Sequence, residues 1–440
     1  MSQPYFCAVI GKGFGDEGKG MAVDFLSSGC KEVLVIRHNG GAQSGHTVEL
    51  PGKRFVFREL SSGSFRRADT FWADTFFPDM YKLGEELVDF RAIHGTVPTI
   101  YADPGTPVTI IDDVFLNMAV EEARGAHRHG SCGMGIYEAQ CRSNAGFAIT
   151  MGELFGWEER RLITRLQEIR REYLPGRLKQ LGLRDSDLGE YGGMLKSNDI
   201  LENVVKEMLQ NIRSVKLVED PVPFLNRYEK VIFENGQGLL LDSENDRYAP
   251  HVTASRTGLT NPCRFLQRFG FSLQEVIYVT RSYVTRHGAG YLPNECSCAE
   301  LGIREPDQTN RNNIWQGKLR YAKHEEMKDF IHPIKEDMQI LQQYQVHKPL
   351  RSLMITHLNE TYDCMVGRDG IVPVADFCRL PVMEELFDRY YLSASRYAAD
   401  IKVQASRYAA DIKVQASHRA ADIKVQASHR AADIEVQNNR

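Results

Sequence analysis

Residues 5–10 form an apolar, strand-forming run that leads without a break into Gly11-Lys12-Gly13-Phe14-Gly15-Asp16-Glu17-Gly18-Lys19-Gly20. A helical pattern, Met21-Ala22-Val23-Asp24-Phe25-Leu26, follows at once. A strand, a glycine-rich loop and a helix in immediate succession leave few folds open. Glycines let the backbone turn tightly and aim its N–H groups inward, and the helix N-terminus adds positive potential. Gly13-x4-Gly18-Lys19 has the shape of a P-loop, but Gly20 stands where a Ser or Thr is usual. A magnesium ligand must then come from elsewhere, and Asp16 inside the loop is the candidate. A glycine loop after a strand can also be a plain turn. A carboxylate inside it argues for chemistry, because bound triphosphate repels it unless a cation bridges them or it acts as a base.

The next segment, Arg37-His38-Asn39-Gly40-Gly41-Ala42-Gln43-Ser44-Gly45-His46-Thr47, places a second polar cluster after a second strand. A lone histidine is usually structural. His46 follows a glycine turn at a strand's C-terminal end, where open α/β sheets hold their ligands.

The rest of the chain alternates short β-rich runs with helical stretches, which favours an α/β fold with a large, mostly parallel sheet flanked by helices. Candidate strands are 5–10, 32–36, 107–111, 230–234, 275–279 and 352–356, several of them compact apolar runs suited to burial on both faces. Residues 152–213 read as a helical insertion, clearest at 158–173 and 199–212. The 440 residues fit one enlarged α/β domain or two to three smaller ones. The reading adopted is one domain over 1–393 and a separate tail over 394–440.

That tail repeats an eleven-residue unit four times: ASRYAADIKVQ twice, then ASHRAADIKVQ and ASHRAADIEVQ. Positions one, four, five and eight fall on one helical face, and a sustained period of eleven favours a slight right-handed supercoil. Arg407 and Asp411 sit at i,i+4, a modest helix support. A docking arm and a solvated helix from a recently expanded repeat both fit. The solvated helix is preferred, because Tyr gives way to Arg at the fourth position.

Composition narrows the setting. Net charge is −4, so no basic excess points to nucleic acid as the main partner. No apolar run approaches the ~18 residues of a membrane span, and the N-terminus lacks the basic flank of a signal peptide. Nine cysteines, odd in number and thinly spread, argue against a disulfide framework and for a reducing cytoplasm. Cys296 and Cys298 form a lone C-x-C pair, read as reduced structural thiols.

The two glycine-rich stretches together resemble the adenylosuccinate synthetase family. G-D-E-G-K-G followed by G-G-x-x-x-G-H-T is specific to that family. The likeness continues in Gly130-Ser131-Cys132-Gly133-Met134-Gly135-Ile136, similar to its monophosphate loop. It returns in Phe233-Glu234-Asn235-Gly236-Gln237-Gly238, in residues 248–255 and in residues 284–295, and covers about residues 5–360 in order.

The resemblance implies a ligase that condenses IMP with L-aspartate, using GTP and Mg²⁺, in purine nucleotide biosynthesis. Asp16 matches the family's base, which removes the N1 proton so that O6 can attack the γ-phosphate. Asp16 also matches a magnesium ligand, with the Gly45 carbonyl as a second. His46 matches the residue that stabilises charge during phosphoryl transfer. Lys19 and the N–H groups of Gly15, Gly18 and Gly20 would hold phosphate oxygens, with Thr47 assisting. Gln237 matches a side chain near the purine and Thr253 one near the monophosphate, with Gln43, Ser131 and Cys132 on the same substrate side. Arg142 lies about where a second subunit reaches the monophosphate, which implies a homodimer.

The sequence departs from the family in three places. The aspartate-binding T-T-G-R-x-R run corresponds to Ile314-Trp315-Gln316-Gly317-Lys318-Leu319-Arg320. Lys318 lacks the planar fork with which an arginine grips a carboxylate, while Arg320 survives. The guanine-reading K-x-D pair is replaced by His357-Leu358-Asn359, and an asparagine offers one acceptor and one donor where an aspartate only accepts. The closing S-T-G-P segment is absent, with residues 391–396 in its place. The donor is therefore GTP or ATP. The alternatives are a ligase acting on GMP or dGMP, against which retention of Asp16 speaks, and a nucleotide-binding sensor without turnover.

Overall fold

The computed structural model describes residues 3–125, 128, 130–303 and 317–406. Strand β1 (Tyr5–Gly11) is buried from Phe6 onward, and its side chains serve two cores. Phe6, Ala8 and Ile10 pack on one face, Cys7 and Val9 on the other, as the period of two along a strand requires. Helix α1 (Lys19–Ser27) leads to β2 (Val33–Arg37). A hairpin of β3 (His46–Leu50) and β4 (Lys53–Phe57) then leaves the main sheet.

The chain returns through β5 (Asp69–Trp72) and β6 (Ile100–Ala102), and after a long excursion through β7 (Val215–Leu217). β8 (Lys230–Gly238) inserts between β1 and β2, and β9 (Glu275–Arg281) pairs with the other side of β1. A small sheet of β10 (Val284–Arg286), β11 (Glu295–Cys296) and β12 (Arg320–Ala322) follows. β13 (Leu350–Thr356), the hairpin β14 (Cys364–Gly367) and β15 (Gly370–Pro373), then β16 (Arg389–Leu392) and β17 (Lys402–Ala405) complete the chain. The sheet order is β17-β16-β13-β9-β1-β8-β2-β5-β6-β7, and each neighbouring pair is parallel except β16 with β17. The carboxyl ends of β1, β2, β8, β9 and β13 therefore open on one rim, where ligands of open parallel sheets bind.

Helix α2 (Met80–His94) lies between β5 and β6, and the excursion opens with α3 (Ile111–Arg124) and α4 (Ile136–Arg142) on either side of the monophosphate-loop stretch. It continues through the expected helical insertion. The stretch expected at 158–173 is the helix Glu159–Glu172, and that expected at 199–212 is the helix Asn198–Asn211.

Two expectations need correction. Residues 107–111 do not form a strand. Val108 N–H bonds the Ile149 carbonyl while Thr109 N–H bonds that of Pro78, so no single neighbour supplies a ladder. From Ile111 the chain is already helical, and the Asp113 carboxylate caps the Ile110 N–H at 3.0 Å.

The tail is not a helix over its first unit, and the domain does not stop at residue 393. Residues 394–404 make a short 3-10 turn, Ala398–Asp400, and then β17, which pairs antiparallel with β16. Ala398 and Ile401 are buried beside Met21, Ala22 and Tyr391. The alternating Ile-Lys-Val-Gln half suits a strand, and an isolated short helix is marginal in water while a sheet edge offers backbone partners. The later units, from residue 407, lie outside the described residues.

Candidate active site

One cleft of about 1760 Å³ lies over the carboxyl rim of the sheet. A single small ligand occupies roughly 300–1000 Å³, so the cleft has room for more than one. Of the positions singled out from the sequence, all but Arg142, Lys318 and Arg320 line it.

The loop between β1 and α1 is held from two neighbouring strand ends. Arg281 Nε, at the end of β9, donates to the Asp16 carbonyl at 2.5 Å. Thr356 Oγ1, at the end of β13, donates to the Glu17 carbonyl at 2.7 Å. Gly18 turns with φ of 93°, a left-handed conformation that glycine adopts freely. Gly20 has a different reason. A Cβ there would stand 2.9 Å from the His46 Cβ and 3.1 Å from the Thr47 carbonyl oxygen, so β3 packs where a P-loop hydroxyl would otherwise project.

Inside the loop Glu17, which the sequence reading left without a role, organises the donors. Its carboxylate accepts from Gly13 N–H at 3.0 Å and Gly15 N–H at 2.8 Å, and meets Lys19 Nζ at 2.7 Å. Burial pushes the Glu17 carboxyl up, but Lys19 and the backbone donors outweigh it and hold it below the usual carboxylate range. The Gly15 N–H is thus committed to Glu17 and is not presented to a phosphate, a correction to its expected role. Lys19 lines the cleft with its charge already matched.

Asp16 faces the cleft, and its Oδ2 lies 3.5 Å from Nε2 of His287. His46 stands at the start of β3 with Nδ1 2.6 Å from Glu234 Oε1. Ser62 Oγ also donates to that oxygen, and Arg37 Nη1 lies 3.5 Å from the other. Burial raises the Glu234 carboxyl, yet Arg37 and His46 together hold it down at about 2. Burial lowers His46 despite Glu234, which favours the neutral imidazole with Nδ1–H on the carboxylate, and the buried Nε2 has no partner among the described residues.

On the substrate side, Ser131 Oγ accepts from Asn117 Nδ2 at 3.1 Å, and burial raises the Cys132 thiol. Asn39 bridges the two glycine-rich strand ends. It donates to Asn235 Oδ1 at 2.7 Å and accepts from Gly236 N–H at 2.8 Å, holding Gln237 at the cleft wall. Gln43 and Thr253 line the same cleft, and His357 and Asn359 line its far end beside Ser395 and Tyr397.

Three expected substrate residues are placed elsewhere. Arg142 is fully buried, and its guanidinium is spent on Asp113 at 2.9 Å and on the carbonyls of Val108 and Phe147. These contacts commit it within its own subunit, away from the cleft. Arg320 is engaged by Glu295 and by the Gly288 and Gly290 carbonyls. Lys318 is exposed and off the cleft, and Ile314, Trp315 and Gln316 lie outside the described residues.

Glu234 and Arg37 were also missed as functional. Each is a charged residue closing an apolar run, Val-Ile-Phe-Glu and Val-Leu-Val-Ile-Arg, and that pattern was the available signal.

A family model for adenylosuccinate synthetase matches residues 8–322. The adenylosuccinate synthetase of Alteromonas mediterranea is 28% identical over 308 residues, covering 67% of each chain. That of Lactobacillus gasseri is 29% identical over 326 residues, covering 71% of this chain and 70% of its own. The fold is similar to the fully ligated adenylosuccinate synthetase of Plasmodium falciparum, with TM-score 0.61 and 16% identity over 90% of this chain and 99% of that one. It is also similar to the cyanophage S-2L succinoaminodeoxyadenylate synthetase bound to dGMP and dATP, with TM-score 0.57 and 15% identity over 94% and 98%. The two solved structures speak to the fold alone, whereas the family model spans most of the sequence. This chain belongs to the adenylosuccinate synthetase family, and is a ligase that forms a C–N bond.

Proposed function

We propose that the protein joins L-aspartate to the 6-position of a purine nucleoside monophosphate, IMP, giving adenylosuccinate. In the first step O6 bonds to the γ-phosphorus of GTP or ATP and the nucleoside diphosphate leaves, while Asp16 takes the N1 proton. In the second step the aspartate amine bonds to C6, inorganic phosphate leaves and the amine gives up one proton. The observation that carries this reading is that Asp16, Lys19 and His46 line one cleft with Ser131, Gln237 and Thr253.

Positioning and charge neutralisation dominate phosphoryl transfer, and the residues fit that work. Asp16 is the carboxylate for the proton at N1. His46 presents Nε2 to the transferring group, its tautomer fixed by Glu234. Mg²⁺ takes one or two protein oxygens and completes its shell with phosphate oxygens and water, so the Asp16 carboxylate with the Gly45 carbonyl suits it. When bound it would supply neutralisation of phosphate charge. At the far end, Asn359 offers both an acceptor and a donor, so the proposal takes ATP as well as GTP.

A homodimer belongs to the proposal on family grounds, without Arg142 as its crossing residue. So does a cytoplasmic setting, with which nine free cysteines agree.

The test is a mass-spectrometric product assay with Mg²⁺, crossing GTP or ATP with IMP, dIMP, GMP or dGMP, and L-aspartate with mixed amino acids. An IMP–aspartate adduct that disappears in Asp16→Asn is expected. An adduct only with GMP or dGMP, or with another amine, overturns the substrate assignment. No adduct in any pairing overturns turnover itself.

A further inference from the structure

The first repeat unit is seated at the sheet edge in a way that can be compared, position by position, with the units after it. Ala398 and Ile401 are its buried anchors, at 3% and 8% exposure. Ser395 Oγ accepts from Tyr397 N–H at 3.1 Å and shapes the turn. Lys402–Ala405 supply the ladder to β16, and Ser406, 3% exposed, closes the slot through its N–H to the Asp388 carbonyl at 3.0 Å.

The second unit repeats all eleven residues of the first, and Ala416-Ser417 follow it as Ala405-Ser406 follow the first. Ala409 and Ile412 stand in it where Ala398 and Ile401 stand in the first. The third unit keeps the Ser, Ala and Ile as Ser417, Ala420 and Ile423, and changes only the third and fourth positions to His418-Arg419. In the first unit those positions are Arg396 and Tyr397, which line the cleft with Ala394 and Ser395. The third unit therefore preserves what the edge slot reads and changes two of the four positions that meet the cleft.

We propose that the edge slot beside β16 is exchangeable, and that residues 405–415 are its alternative occupant in the same chain. Nothing in the slot distinguishes two identical segments. They differ only in the connection, since seating the second unit loops out the eleven residues of the first. Loop-closure cost grows with the logarithm of length, about threefold in population per doubling, so a looped-out unit does not forbid exchange. The tail thus acts as a reserve strand for the sheet edge, independent of which substrates the cleft takes.

The test uses the full chain. Ile401→Asp places a charge at the buried anchor of the first unit alone. The reference for an empty slot is I401D combined with Ile412→Asp, Ile423→Asp and Ile434→Asp. With exchange, I401D melts close to the unaltered protein, while the fourfold variant melts roughly 3–8 °C lower. Hydrogen exchange read by mass spectrometry gives the occupant directly, because the substitution makes the two units distinguishable by mass. In I401D the amides of 402–405 lose protection and those of 413–416 gain it. I401D melting as low as the fourfold variant overturns the proposal. So does a fourfold variant as stable as the unaltered protein, or protection that appears at 424–427 and not at 413–416.

Discussion

Glu234 Oε1 lies 2.6 Å from Nδ1 of His46, and the carboxylate is itself held by Ser62 and Arg37. This pair decides what His46 can do. A buried anion on Nδ1 fixes the proton there and leaves Nε2 as the ring's acceptor, as a carboxylate behind a working imidazole does. It also opposes the loss of charge that burial imposes on the ring.

Glu234→Gln keeps the shape and removes the anion. Loss of such an orienting partner typically costs about 10–100-fold in activity. Turnover should fall by that order while the KM for the monophosphate changes little. Arg37 is left without its buried counter-ion, so the variant should also lose a few kcal/mol of stability, about 3–5 by analogy with other broken buried pairs. Steady-state kinetics below the melting temperature separate the two effects. Unchanged kcat in folded protein would remove Glu234 as a positioning residue.

Arg142 gives the converse expectation. Its guanidinium, bidentate on Asp113, ties α4 to the start of α3. Arg142→Leu leaves Asp113 buried without its counter-ion, and should cost about 3–5 kcal/mol in urea unfolding. The monophosphate KM of the folded fraction should not move. A large rise in that KM with little change in stability would restore the cross-subunit role that the sequence alone suggested.

The β1 loop, the α/β class and most of the cleft were legible because they rest on local signals. Apolar runs became β1, β8, β9 and β13, and the glycine stretches after β1 and β2 and at the end of β8 lie on the common rim. β5, β6 and β7 were not seen, because they are short and mark no strong periodicity. Their pairing is a long-range outcome of packing. Arg142 and Arg320 were misread for a related reason. Sequence gives an arginine's charge but not which carboxylate folds against it, and here Asp113 and Glu295 do. The repeat misled through its period, since eleven residues suit a helix only until Ile401 has a core to enter.

Gly20 yields a sharper test of the loop. Gly20→Ser would restore the P-loop hydroxyl, but its Cβ must fit 2.9 Å from the His46 Cβ. Overpacking of this kind costs about 1–3 kcal/mol, and the yielding neighbour is the residue that must stay on Glu234. Both melting temperature and turnover should fall. A variant with full stability and equal or higher turnover would show that β3 yields freely and that the glycine is not set by His46.

Asp337 lies outside the cleft and supplies a pH-dependent test of the core. Its Oδ1 accepts from Leu259 N–H at 2.8 Å, and Tyr278 OH donates to Oδ2 at 2.9 Å. Burial, only partly offset by these bonds, pushes the carboxyl up from 3.8 to about 7. The folded state therefore holds this proton more tightly than the unfolded chain does. The stabilisation is complete below about pH 4, where both states are protonated, and is lost as pH rises toward 7. Asp337→Asn keeps an oxygen for Leu259 N–H and does not titrate. Urea unfolding of both proteins at pH 5, 6, 7 and 8 should show the unaltered protein losing ground to the variant, by up to about 1.4 kcal/mol per pH unit below 7. Above 7 the two curves should run parallel. Glu86, raised to about 7, and Asp79, raised to about 6, titrate in both proteins and cancel in the difference. A difference that stays constant from pH 5 to 8 would mean that Asp337 is already ionised in the folded core.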